Sequence, residues 1–169
     1  FNSDYSDVNA PSGAAGWVPA MVTAGKYEFA SDGNYIVNDG TLQIVVRPGA
    51  KVQLYVKAAN FSPPRIAVET NTIGSGKLTI YQESGSATFQ GSGNLAIQSE
   101  RAENFQYFGM AGVTSVTYAG GYNFFGVIYA PSAKVTLNGG WNSGGWNNSM
   151  NFVGACVGDS IVMSGYYKF

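Results

Sequence analysis

Two stretches of this chain are copies of one another. Residues Asn123 to Gly140 read as strand, corner, strand, turn, and Asn151 to Gly165 repeat the pattern in degraded form. Phe125-Gly126 answers to Val153-Gly154, and Val135-Thr136-Leu137 answers to Ile161-Val162-Met163. The same unit recurs upstream. Tyr55, Tyr81, Tyr107 and Tyr129 sit late in strand-like runs at steps of 26, 26 and 22 residues, and Val157 follows 28 later. A second column, Ala87, Val113, Val135 and Ile161, advances by 26, 22 and 26. Self-similarity at this period marks a repeat architecture whose units bury their apolar sides only by stacking. The units are strand-rich and Gly-punctuated, with no amphipathic helical window. The expectation is therefore all-β: a parallel β-solenoid, or β-helix, of about five to six coils. Residues 1–23 read as an irregular, extended N-terminal lead-in, with Trp17-Val18 docking on the body, and residues 24–169 as the solenoid domain.

Composition fits such a stack. Gly numbers 23, as many tight corners require, and Tyr (11) and Phe (10) favour strands. Charged residues make up 11% of the chain and the net charge is -1, which gives no electrostatic case for nucleic acid or an anionic membrane. No apolar run is long enough to insert into a bilayer. The low-charge, Ser/Thr/Asn/Gly-rich and Tyr-rich surface resembles that of secreted or cell-surface proteins more than that of cytoplasmic enzymes, and the expectation is an extracellular or cell-surface location. The chain begins at Phe1 and not at Met, so a leader is expected to have been removed. The ending Tyr166-Tyr167-Lys168-Phe169 reads as a strand without a cap.

The search for chemistry mostly excludes it. There is no His, so Ser–His or Cys–His nucleophilic pairs cannot form, and the single Cys156 supplies no metal cluster or internal disulfide. Cys156 lies in an apolar strand and reads as a buried, inert thiol. The ten acids are scattered; Glu100 and Glu103 are neighbours within a charged loop, Ser99 to Glu103. Asp32, Asp39 and Asp159 flank turns and suit Asx-type bonding there. Gly74-Ser75-Gly76-Lys77 and Gly91-Ser92-Gly93-Asn94 resemble nucleotide-binding glycine loops only in spacing, since no helix follows either. Both read as corners. No catalytic residue, metal or cofactor is expected, and the chain reads as a non-enzyme. The possible ligand or partner contacts are Tyr122, Trp141 and Trp146, in or near the loop Gly140 to Ser149. Exposed aromatics with Asn and Ser neighbours suit stacking on sugar rings, although tryptophans there equally suit anchoring the loop on the flank. Thr88, Thr114 and Thr136 form a further column, which is also ordinary strand composition.

With the repeat laid out, the chain resembles a family of bacterial surface domains known only as a domain of unknown function, sometimes found beside pilus-assembly-like regions. The residues that carry the likeness are Asn104-Phe105-Gln106-Tyr107-Phe108-Gly109, then Phe125-Gly126-Val127-Ile128-Tyr129-Ala130-Pro131-Ser132-Ala133, and Phe152 to Gly158 with Ser160-Ile161. The resemblance covers about Gly25 to Phe169. Members tend to close with Phe-His-Tyr-Asp, which this chain lacks, so no role for that ending carries over. A more distant likeness, through Gly158-Asp159-Ser160-Ile161, is to bactofilin-like solenoids. The resemblance implies a β-solenoid on the cell exterior and implies no activity. The leading expectation is a self-associating structural subunit or display domain of a surface filament or pilus-like appendage. The alternative is an adhesive module that binds surface glycans through the Trp141/Trp146 loop.

Overall fold

The computed structural model describes residues 16–90, 94–120, 122–139, 150–165 and 167–168. It is almost entirely strand, and nearly all strand pairs are parallel. In chain order the strands are β1 (Val18–Pro19), β2 (Val22–Thr23), β3 (Lys26–Phe29), β4 (Gly33–Val37), β5 (Gln43–Val46), β6 (Lys51–Val56), β7 (Asn60–Phe61), β8 (Ile66–Val68), β9 (Lys77–Gln90), β10 (Leu95–Ile97), β11 (Phe105–Gly120), β12 (Phe124–Gly139), β13 (Met150–Gly165) and β14 (Tyr167–Lys168). One sheet runs β1-β4-β6-β9-β11-β12-β13-β14, with β7 also on β9; the other runs β10-β8-β5-β3-β2. Only β2 on β3 is antiparallel among these pairs. Up to β10 the chain passes back and forth between the two sheets, and each return lies beside the last; β11, β12 and β13 then follow one another in the first sheet. The architecture is β-helix-like.

Alternation along the strands sets what faces inward. In β6, Val52, Leu54 and Val56 are buried while Lys51 and Gln53 are exposed. Successive rungs repeat the parity, so Leu54, Ile80, Tyr107, Ile128 and Cys156 form one inward column. Each fully buried aliphatic side chain contributes about 1.5–3 kcal/mol, and the interior is continuous from Tyr27 to Phe152. An aromatic chain runs through it. Phe61, Phe89, Phe105 and Phe124 meet edge to face, and Phe124 stacks on Phe152 at 4.7 Å.

The two copies recognised in the sequence lie in the register expected. Phe125-Gly126 pairs with Val153-Gly154 and Val135-Thr136-Leu137 with Ile161-Val162-Met163. The tyrosine column needs one correction. Tyr55 pairs with Tyr81 and Tyr129 with Val157, but the rung between carries Phe108, not Tyr107. Tyr107 is fully buried, and its hydroxyl donates to Gln82 Oε1 at 2.8 Å. Gln82 is itself fully buried, and its amide donates to the carbonyls of Ser84 at 2.8 Å and Ser86 at 3.0 Å. A polar partner inside the stack is what lets a tyrosine take the inward place. The second column is corrected likewise: Ala87, Val116, Val135 and Ile161 are paired, and Val113 falls opposite Gly85. The cause is a bulge in β11. Its offset from β9 grows from 27 at Phe108 to 29 at Ser115, so the bend carries two extra residues. For the same reason Thr117, not Thr114, stands between Thr88 and Thr136.

Residues 16–23, read from sequence as part of the lead-in, join the stack. Trp17 meets Tyr55 and Tyr81 edge-on at 6.2 and 6.4 Å, and Val18 pairs with Tyr35. The charged loop before β11 contains a single 3-10 turn, Ala102–Asn104.

Corner geometry generates a contrast between two glycines. Gly49 and Gly85 both have positive φ, 81° and 87°, but a Cβ at Gly49 meets nothing within 4 Å, whereas at Gly85 it would collide with the carbonyl of Ala59. Gly49→Ala should cost about 1–2 kcal/mol from backbone conformation alone. Gly85→Ala should cost clearly more, about 3–5 kcal/mol, through the added clash with the stack. Denaturant unfolding of the two variants checks this, and equal losses would mean that the corner relaxes.

Candidate functional site

The second sheet stops at β10 while the first continues through β11, β12 and β13. Only residues 121–123 separate β11 from β12, too few to add another strand to the second sheet. That step leaves a cleft of about 260 Å³ along β10, lined by Leu95, Ile97, Gln98, Glu100, Tyr122 and Phe125 among others. Tyr122, a residue singled out from sequence, stands at it with 61% of its surface exposed. Its turn is pinned from two sides. Tyr118 donates its hydroxyl to the Tyr122 carbonyl at 2.8 Å, and the backbone N–H of Asn151 donates to Asn123 Oδ1 at 2.9 Å. A fixed turn that presents an exposed phenol beside amide and carboxylate groups can hold a polar ring. Trp141 and Trp146 lie outside the described residues.

Glu103 is paired with Arg101, and Glu100 is exposed at the cleft with a left-handed backbone (φ 53°). Arg47 pairs with both Glu28 and Glu69 beside the second sheet, and Lys26 also pairs with Glu28; Lys26 first and Arg47 next hold the Glu28 carboxyl below its ordinary range. Asp39 makes the Asx turn expected, accepting from Thr41 N at 2.8 Å and Thr41 Oγ1 at 2.6 Å. Asp32 reaches across to the next rung and accepts from Lys51 N at 2.8 Å. Asp159 departs from expectation: it lies within β13, exposed, and no side-chain hydrogen bond forms to it among the described residues. Gly74 to Gly76 lie in the corner that leads into Lys77, the first residue of β9, where Asn71 Oδ1 accepts from Ile73 N at 2.8 Å and from Gly74 N at 3.2 Å. Gly91 to Gly93 lie outside the described residues. Among the described residues no group of three or more Cys, Asp or Glu side chains is placed to hold a metal ion, and no helix is long and apolar enough to cross a membrane.

The other functional candidate is an edge. β13 pairs along its length with β12, and on its far side, among the described residues, β14 pairs with Met150 and Asn151 alone. Val153, Val157, Ile161, Val162 and Met163 are each 41–44% exposed there. Sequence patterning marked these positions as strand but could not mark them as uncovered, because exposure depends on what lies beyond the rung.

The molecule is thus of the parallel-stacked, all-β class, with a cleft at the step between its sheets and, among the described residues, a terminal rung paired on one side along most of its length. The chain belongs to the family described as a domain of unknown function, DUF7305, whose pattern matches residues 18–169. No match was found among curated proteins or among solved structures. The family match begins at Val18, the first residue of β1, and so includes both short strands that precede β3.

Cys156 is half-buried in the inward column, and burial pushes its thiol up to about 11. Burial disfavours the charged form, so the thiolate fraction at pH 8 falls well below that of a free cysteine. Part of that loss is offset because a more basic thiolate attacks faster. Iodoacetamide alkylation at pH 8 should run at least about tenfold slower than for an unhindered thiol, measured by mass spectrometry. A rate equal to that of free cysteine would show the last rung to be open to reagent.

Proposed function

We propose that the chain is a non-catalytic parallel β-solenoid of about five to six coils, displayed outside a bacterial cell as a subunit or display domain of a surface filament or pilus-like appendage. The observation that carries this reading is the edge of β13, on which the described residues place no strand beyond Asn151 and which exposes five large apolar side chains. Long, flat edges pair with further strands unless they are blunted by Lys, Pro or strong twisting. β13 offers Asp159 as its sole charge and holds no proline. Exposed large apolar side chains are otherwise rare on the flanks. Of ten among the described residues, five lie on β13 and three, Val18, Met21 and Val22, lie at the opposite end; only Ile73 and Tyr122 lie elsewhere. A stack whose apolar surface is concentrated at its two ends is suited to joining end to end. The low charge content, the F-G-V-I-Y-A-P-x-A motif at 125–133 and the bactofilin-like Gly158-Asp159-Ser160-Ile161 support the same reading.

Sedimentation and negative-stain microscopy test it. The chain should assemble with rising concentration, and Val157→Lys with Ile161→Lys should shift it to a monomer with an unchanged circular dichroism spectrum. A monodisperse wild-type monomer at high concentration would sink the reading.

The second reading, a glycan-binding adhesive module, is favoured by the exposure of Tyr122 over the β10 cleft. Glycan-array binding by the wild type should then fall about tenfold or more in Tyr122→Ala. Trp141→Ala and Trp146→Ala should be compared in the same array, and a binding profile untouched by all three substitutions would exclude this use of the loop and cleft.

A further inference from the structure

The outward side of the first sheet bears another cleft, of about 320 Å³, at the lower end of the range for small-molecule sites. Its walls come from three successive rungs. Lys51 of β6 pairs in register with Lys77 of β9, so two ammonium side chains leave the sheet from neighbouring strands, about 4.8 Å apart. Like charges directly opposite one another destabilise a sheet. Neither lysine forms an ion pair among the described residues. The nearest acid in sequence register, Asp32, spends Oδ1 on the Lys51 backbone N–H, and one carboxylate against two ammonium groups leaves the patch positive.

Beside the lysines runs a polar column, Gln53, Thr79 and Gln106, also in register. Thr79 lines the cleft with only 8% of its surface exposed, and its hydroxyl has no hydrogen-bond partner among the described residues. The two glutamine amides are likewise unengaged. Tyr81 and Phe108, parallel at 5.3 Å, close the far side.

We propose that this cleft binds an acidic sugar, a pyranose carrying a carboxylate within a longer polysaccharide. Lys51 and Lys77 take the carboxylate in charge-assisted hydrogen bonds. Gln53 and Gln106, with both donor and acceptor atoms, and the Thr79 hydroxyl take ring hydroxyls. The apolar side of the sugar lies against Tyr81 and Phe108. An acidic peptide would satisfy the lysines but leave the amides and the Thr79 hydroxyl without partners in the ligand. A nucleic acid would need a broader positive field than a chain of net charge -1 provides. The site uses the flank of the stack, so it stands independently of both the terminal-rung assembly and the Tyr122 cleft.

Calorimetric titration of the full chain with galacturonate oligosaccharides tests it, with neutral galactose oligosaccharides and poly-glutamate as comparison ligands. Galacturonate should bind in preference to both. Lys51→Gln with Lys77→Gln should weaken binding about tenfold or more, Thr79→Val should reduce the preference over poly-glutamate, and Lys134→Gln, which removes an exposed charge on β12 outside the cleft, should leave binding unchanged. Thermal melts establish that each variant is folded; if the double variant is not, the exposed Lys51→Gln alone carries the comparison. Absence of galacturonate binding, equal binding of poly-glutamate, or affinity unchanged in the folded lysine variant would overturn the proposal.

Discussion

Parallel register is the constraint on which the rest of this structure depends. In a parallel stack each residue sits directly on its counterpart one strand away, and its backbone is bonded to both neighbours. Whatever a rung carries at a given position is therefore met by whatever the next rung carries there. Tyr55 lies on Tyr81, Lys51 on Lys77, Thr117 on Thr136, and Gly126 on Gly154. The interior follows from the same rule, because an inward column must be apolar or internally satisfied at every level. The sequence repeat is the chemical record of this geometry, and the two clefts are formed where the stacking of columns is interrupted or left without partners.

Much of the architecture was legible for that reason. The pairing of 125–126 with 153–154, and of 135–137 with 161–163, can be read directly because residues of like kind recur at a constant step. What was not legible came from local departures. Phe105-Gln106-Tyr107-Phe108 offers two adjacent aromatics, and period-2 alternation turns one inward and the other outward. Only the buried partner Gln82, 25 residues earlier in the chain, decides between them. The two extra residues in the bend of β11 shift Val113 and Thr114 off their columns, and a bulge in one rung leaves no mark in composition. Of the candidate contacts, Tyr122 was visible as an aromatic in a polar turn. The cleft beside it arises because the second sheet ends at β10, and that is a property of the path of the chain. The Lys51 and Lys77 pair repeats at the same 26-residue step as Tyr55 and Tyr81 and was readable in principle; lysines on a strand edge simply look like ordinary surface.

The two ends of the stack differ in character. At one, two-residue strands and Pro19 limit what can be added to the sheet, and β2 turns antiparallel against β3. At the other, a sixteen-residue strand presents its backbone and five apolar side chains. Such asymmetry gives the molecule a direction, and contacts between unlike ends propagate where contacts between like ends would close.

Gln82 has a consequence for how the stack forms. Its amide suits only the place where the carbonyls of Ser84 and Ser86 converge, and its oxygen suits only the hydroxyl of Tyr107. Slipping the strands by two residues would keep their apolar faces inward but part the Gln82 oxygen from the Tyr107 hydroxyl and leave both in hydrocarbon without each other. An interior of leucine and valine alone would penalise odd-numbered slips but tolerate a two-residue slip at little cost. One glutamine among them makes the misaligned alternatives expensive, so that the winding of the chain is proofread at its centre and not only at its ends.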